Sequence, residues 1–369
     1  MRRGAEVVVV GAGVVGASVA FHLASRGCRD VLVLDRTEAG SGSTGRATGG
    51  FRAQFATDVN VRLSLMSRAK LIAFKDETGG DCGYRPCGYL FLARSEHLGT
   101  MRAALRVQHA AGLAESRELS LAEAREINPA ASVDGIAGGF FCPSDGFIRP
   151  MGILQGYLDA ARRLGVRVET GVEVTSVTAA GLETSRGAID ARHVVNATGA
   201  WAAGLAEIPV RPLKRQVAPT VPTDVLPDAM AMTIWLEDGF HLRVRDGRVL
   251  LLQPHATAES FDATFDESWL PGATRLAHAR LPVLRSVAID RAACWAGLYE
   301  MTPDKHAIVG RAGELWLANG SSGHGVMHSP ALGQVVAELI LDGKTSLDIS
   351  ALRPGRFAER AMNPVDSLL

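Results

Sequence analysis

Gly11, Gly13 and Gly16 stand in the spacing Gly-X-Gly-X-X-Gly directly behind the apolar run Val7 to Val10. That combination suits a phosphate-binding turn. Gly11 permits a tight bend, Gly13 lets backbone amides approach a pyrophosphate, and Gly16 allows a helix to pack closely on a strand. The helix that opens at Val14 and Val15 points its positive end at the phosphates. Asp35 closes the next apolar run, where a carboxylate can accept hydrogen bonds from a ribose, and Arg36 follows it. Such a turn alone also occurs as a plain glycine bend. Strand, turn, helix and acid together specify a dinucleotide, without choosing between a nicotinamide and a flavin.

Further groups with chemical potential lie downstream. Ala197-Thr198-Gly199-Ala200-Trp201 ends an apolar strand with side chains small enough for close passage of a ligand. Gly320-Ser-Ser-Gly323-His324-Gly325 precedes a helix expected over about Pro330 to Leu341. Around 240, His241, Arg243 and Arg245 alternate with Phe240, Leu242 and Val244, which puts the basic residues on one strand face. For Arg245 simple solvation of that face is the better reading.

The elements that must hold these residues are legible in outline. Glu6–Val10 and Asp30–Leu34 read as buried strands flanking a helix over Val14–Arg26. The polar loop from Glu38 to Gly50 is too long for an ordinary connection and is expected to wrap a ligand. Helices follow over Asn60–Thr78, Leu121–Ile127 behind Ser120, and Met151–Leu164, and strands over Gly88–Ala93, Val166–Glu169, Val172–Val177 and His193–Asn196. From Arg215 to Ala288 the pattern turns to β, with a hairpin at Asp246-Gly247 returning through Val249–Leu252. The fold class is α/β: a discontinuous Rossmann-like domain over 1–80, 142–213 and 290–369. An inserted mixed or antiparallel-sheet (α+β) substrate domain is expected over 81–141 and 214–289, one face of its sheet roofing the cofactor.

Composition narrows the function classes. With 369 residues and 47% hydrophobic side chains, sizeable cores can form. Lys+Arg and Asp+Glu balance at 39 each, so nucleic acid is not an expected partner. The five cysteines, Cys28, Cys82, Cys87, Cys142 and Cys294, include no CxxC pair, and neither a metal site nor a disulfide framework is expected. No signal segment and no membrane-length apolar run stands out, so a soluble, cytoplasmic protein is expected.

Six ordered segments carry a resemblance to the D-amino-acid oxidase superfamily of flavoproteins. They are GAGVVGAS from Gly11, GSGSTGRATGGFR from Gly40, DGFIRP from Asp145, VVNATGAW from Val194, WAGLYEMTPDKHAIVG from Trp295 and NGSSGHGVMHSPALG from Asn319. The branch it is most similar to holds sarcosine oxidase β-subunits, dimethylglycine dehydrogenase, glycine oxidase and the archaeal L-proline dehydrogenase β-subunit. The resemblance implies FAD, held by the first turn, by Asp35, Arg36, Ser43, Thr44, Arg46, Ala47, Gly49 and Gly50, and by Val174 backbone at the adenine. It also implies contacts from Ala197, Thr198, Gly199, Trp201 and Gly297. Gly323, His324, Gly325, Val326 and Met327 at a helix N-terminus would face the flavin pyrimidine and steady negative charge there.

The implied reaction is oxidation of a C–N bond in an amino acid or N-methyl amino acid, by hydride transfer to flavin N5, giving an imine that water hydrolyses. An amino-acid carboxylate needs a cation, and glycine oxidases place an Arg where this chain has Tyr299. Arg52 is the approximate counterpart of another carboxylate-binding Arg, with a phosphate or surface arginine as the alternative. His241, Arg243, Tyr299 and His324 complete the candidate catalytic set. Relatives tether flavin through a His or a Cys at positions that here read Gly45-Arg46-Ala47 and Gly297-Leu298-Tyr299, so non-covalent FAD is expected. The strand Val249–Leu252 lacks an oxygen-activating Lys, which points to a dehydrogenase; the acceptor is oxygen or an electron-transfer partner. Alternatives are a 2-hydroxy-acid or glycerol-phosphate dehydrogenase, and the flavin subunit of a hetero-oligomer that is inactive alone.

Overall fold

The computed structural model describes residues 3–255 and 259–365, so the ends of the spans 1–80 and 290–369 and residues 256–258 lie outside it. The central sheet runs in the order Val174–Thr178, Gly181–Thr184, Ile189–Asn196, Arg3–Val10, Val31–Leu34 and Arg167–Glu169. Leu315–Asn319 joins parallel to Ile189–Asn196, with Ile308–Ala312 outside it. Arg3–Val10 is parallel to both neighbours and buried on both faces: Val7 and Val9 enter one core, Val8 and Val10 the other. A strand buried on both faces reads as a continuous apolar run. The helices Pro150–Arg163 and Gly325–Asp342 pack against Val14–Ser25. Closest approach falls at Gly333, where a Cβ would come within 2.1 Å of Ser18 Oγ.

The second sheet runs Trp295–Met301, Arg211–Pro219, Arg248–Leu252, His241–Arg245, Met232–Trp235, Tyr89–Ala93, Gly138–Cys142 and Arg117–Leu119. It is antiparallel except where Met232–Trp235 lies parallel to Tyr89–Ala93. Trp295–Met301 thus belongs to this sheet, although the division at 290 puts it with the cofactor domain. Cross-strand partners share a face. Pairing of His241 with Leu252, Leu252 with Val217 and Arg215 with Gly297 aligns one face over the central sheet. Leu242, Val244, Val249 and Leu251 fill a separate core on the other face.

Several elements differ from expectation, among them a helix over Leu270–Arg280 inside the span read as β. A helix over Ser95–Ala110 buries only Met101, Ala104 and Gln108, an apolar stripe too narrow to mark it in the sequence. The helix expected over Asn60–Thr78 is two, Asp58–Ile72 and Phe74–Thr78, separated at Ala73. The C-terminal helix begins at Gly325 and carries Pro330 inside it. Pro330 has no N–H for the Val326 carbonyl, and Ser329 Oγ donates to that oxygen instead, at 2.9 Å. No helix is long and apolar enough to cross a membrane among the described residues, and those residues form no His, Cys, Asp or Glu cluster able to hold a metal.

Candidate active site

A cavity of about 1200 Å³ runs between the two sheets. This exceeds the roughly 300–1,000 Å³ of small-ligand pockets and suits an extended dinucleotide. At one end, Gly11 adopts φ +110°, and a Cβ there would lie 2.4 Å from the Ala197 carbonyl. Gly16 stands against Gly11, its Cβ position 1.9 Å from that residue's oxygen, so it packs the turn and does not line the cavity. Gly13, by contrast, is open apart from Thr44 Oγ1 at 3.4 Å, and the helix start at Val14 and Val15 lies on the wall. Asp35 accepts from Ala12 N at 2.8 Å and from Thr37 N at 2.9 Å, which orients its carboxylate on the cavity wall.

The long loop is held by the second sheet. Ser43 Oγ donates to the Leu298 carbonyl at 2.7 Å, Arg46 Nη1 to that of Ala296 at 2.9 Å, and Trp295 Nε1 to that of Arg46 at 2.8 Å. Thr44 Oγ1 accepts from Val14 N at 3.1 Å. Ala47, Gly49, Gly50, Val174, Ala197, Thr198, Gly199 and Gly297 all reach the wall. Arg36 and Trp201 do too, the guanidinium lying 4.6 Å from the indole centre, with Phe261 stacked beyond.

At the other end, Gly323 takes φ +91° against the Tyr299 ring, where a Cβ would come within 2.5 Å of a ring carbon. Glu300, unnoticed in the sequence, folds this loop: its carboxylate accepts from Gly320 N at 2.9 Å and from Ser321 Oγ, and its carbonyl accepts from Ser322 N. Burial raises its pKa against these bonds. Gly325, Val326 and Met327 then open the helix on the wall.

Beside them, Arg52 is 3% exposed and sits 3.9 Å from the Phe55 ring centre. Its Nη1 donates to the Gln54 carbonyl at 2.5 Å and its Nη2 to Nε2 of His324 at 3.3 Å. Arginine has no acceptor, so Nε2 carries the lone pair and Nδ1 the proton. Burial, then Arg52, holds the His324 pKa well below 6.5. His241 donates through Nδ1 to the Gly239 carbonyl at 2.8 Å, leaving Nε2 as its acceptor, and burial lowers its pKa to about 4. Asp145, whose own pKa burial raises to about 6, fixes the Arg52 loop by accepting from Ala53 N and Gln54 Nε2.

One candidate departs from expectation. Arg243 does not line the cavity; its guanidinium donates to the carbonyls of Thr48 and Gly49 and lies 4.1 Å from the Phe147 ring centre. The loop at 48–49 stands between it and the cavity, so it braces that loop. Arg245 lies 5.4 Å from the Trp295 ring centre. Arg215 and Tyr89 reach the wall without having been singled out. For Arg215 the period-two spacing of Leu213, Arg215 and Val217 puts it on one strand face, without showing what that face meets.

The family model described as DAO, FAD dependent oxidoreductase, matches residues 6–339. Rat mitochondrial dimethylglycine dehydrogenase is 28% identical over 96% of this chain and 45% of its own length. Glycine oxidase from Geobacillus kaustophilus is also 28% identical, over 94% of this chain and 95% of its own. The crystal structure of L-proline dehydrogenase from P. horikoshii superposes with a TM-score of 0.91 at 31% identity, covering 98% of this chain and all of that one. The chain spans under half the length of the first curated relatives it matches. A matching family model over most of the chain and a shared fold leave one assignment: the chain belongs to the DAO family of FAD dependent oxidoreductases.

Proposed function

We propose that this chain oxidises the C–N bond of an amino acid or N-alkyl amino acid, with FAD lying along the cavity. Gly11, Gly13 and the helix start at Val14 would hold the pyrophosphate, Asp35 the adenosine ribose, Val174 the adenine, and the amides from Gly323 to Met327 the pyrimidine. The cradle fits because its glycines leave room where side chains would intrude. When bound, FAD supplies the two-electron acceptor at N5. The relatives named for dimethylglycine, glycine and L-proline act on molecules that share an amine and a carboxylate.

The observation that carries this reading is Arg52, a buried guanidinium inside a dinucleotide-sized cavity and beside a neutral histidine. A guanidinium binds a carboxylate through charge-assisted, two-point hydrogen bonds. His241, neutral and with its acceptor at Nε2, suits a hydrogen bond from the substrate amine. Enclosure between the sheets excludes water and orients the Cα–H. Electrons leave to oxygen or to an electron-transfer partner, and five free thiols suit a reducing compartment such as the cytoplasm.

The residues of the wall support non-covalent attachment. Among the described residues it carries no cysteine, and its histidines, His241 and His324, are engaged by Gly239 and Arg52. Acid precipitation should leave the yellow colour in the supernatant; colour retained in the pellet counts against it. For the reaction, the test is a screen of sarcosine, dimethylglycine, glycine, proline and D-amino acids for anaerobic flavin bleaching. Bleaching by a 2-hydroxy acid alone would sink the amine reading.

A further inference from the structure

Arg215 shares a sheet face with Tyr299, because it pairs with Gly297 and its neighbour Leu213 pairs with Tyr299. Its side chain lines the cavity, with the guanidinium carbon 5.9 Å from the centre of the Tyr299 ring. Nη1 donates to the carbonyls of His255 at 3.0 Å and Lys214 at 3.3 Å, which fixes the head group without neutralising it. No carboxylate among the described residues pairs with it; burial lowers its pKa and Tyr299 alone opposes that shift. Nearby acids are engaged elsewhere. Glu300 holds the Gly320–Ser321 turn, and Asp238 accepts from Arg280 and from Phe240 N. Asp35 and Glu173 belong to the glycine-turn and adenine end of the wall.

Arg52, Arg215, His241 and Tyr299 all line this cavity, and both guanidiniums act electrostatically on His241 and on Tyr299. A desolvated cation without an anionic partner is unfavourable, and a second anionic group on the ligand relieves it. On the amine-oxidation reading a substrate with one carboxylate places it at Arg52, which leaves Arg215 without an anion. We infer that Arg215 receives a second carboxylate, which makes the preferred substrate an amino or N-alkyl amino acid bearing two carboxylates, held between Arg52 and Arg215. This rests on the amine-oxidation reading for the chemistry, but the anion preference is separable from it.

The test is calorimetric titration of the FAD-loaded protein with thioethers, in which sulfur replaces the oxidisable nitrogen. Methylthioacetate carries one carboxylate; (carboxymethyl)thio-acetate, -propanoate and -butanoate carry two at increasing spacing. At least one dicarboxylate should bind about tenfold tighter than methylthioacetate, Arg215→Gln should abolish that preference while leaving methylthioacetate binding unchanged, and Arg215→Lys should retain part of it. No preference for any dicarboxylate, including no binding at all, overturns the inference, as does an equal loss of both ligand types in Arg215→Gln. A flavin that no amine bleaches, with the dicarboxylate preference intact, overturns the oxidation reading alone.

Discussion

Arg52 donates from Nη2 to Nε2 of His324 at 3.3 Å, which ties the end of the long loop to the residue that caps the C-terminal helix. One hydrogen bond thereby joins two segments that line the cavity beside Tyr299, and it sets the tautomer of His324 with Nδ1–H as the remaining donor. Protonating His324 would turn this bond into a repulsion between two cations, and burial opposes it as well.

The buried histidines predict an acid-sensitive fold. His22 and His241 have pKa values lowered to about 4 and His328 to about 3, chiefly by burial, and His324 is lowered well below 6.5. Each is neutral in the fold and takes up a proton on unfolding below about pH 6.5, so stability falls as pH drops from there toward 4. Asp145 and Glu300, with raised pKa values, oppose this in the lower part of that window. Each net proton bound on unfolding is worth about 1.4 kcal/mol per pH unit. His328→Gln, still able to bond Ser64, should give a shallower fall of Tm with pH; an unchanged slope would contradict the assignment.

Gly323→Ala should weaken cofactor binding rather than alter the chemistry. Its φ of +91° strains any side chain, and the new Cβ would strike the Tyr299 ring. A strained backbone of this kind costs about 1–3 kcal/mol, enough to weaken FAD binding about five- to 150-fold. Equilibrium dialysis against FAD measures this, and wild-type affinity in the variant would refute the close approach.

Arg243→Met should separate bracing from substrate binding. Two loop carbonyls lose their donor, at about 1–3 kcal/mol for each group left buried and unsatisfied. Tm and FAD affinity should drop, while the saturation constant for substrate in the FAD-loaded protein stays within about twofold of wild type, since a remote site should not couple. A large rise in that constant would return Arg243 to the substrate pocket.

What could be read from the chain beforehand was local. The turn from Gly11 to Gly16 with Asp35, and the alternation around His241, follow from φ requirements and strand period, which neighbouring residues dictate. The capping box of Ser120 and Glu123 is likewise written in four adjacent residues. Arg215 and Glu300 escaped because their roles depend on pairing between Arg211–Pro219 and Trp295–Met301, segments far apart in sequence. Arg243 was assigned to the correct face, but period two cannot show that the loop at 48–49 lies between that face and the cavity. The helix start at Gly325 was hidden by Pro330, whose missing donor Ser329 makes good.

The central claim, that Arg52 grips the carboxylate of an amino acid being oxidised, is tested most directly by anaerobic stopped-flow reduction of FAD-loaded wild type and Arg52→Gln with the most active amino acid from the screen. Losing a charge-assisted bond of about 1.5–3 kcal/mol should raise the saturation constant roughly ten- to hundredfold, with a smaller change in limiting rate and unchanged FAD content. Equal saturation constants in the two proteins would contradict the claim.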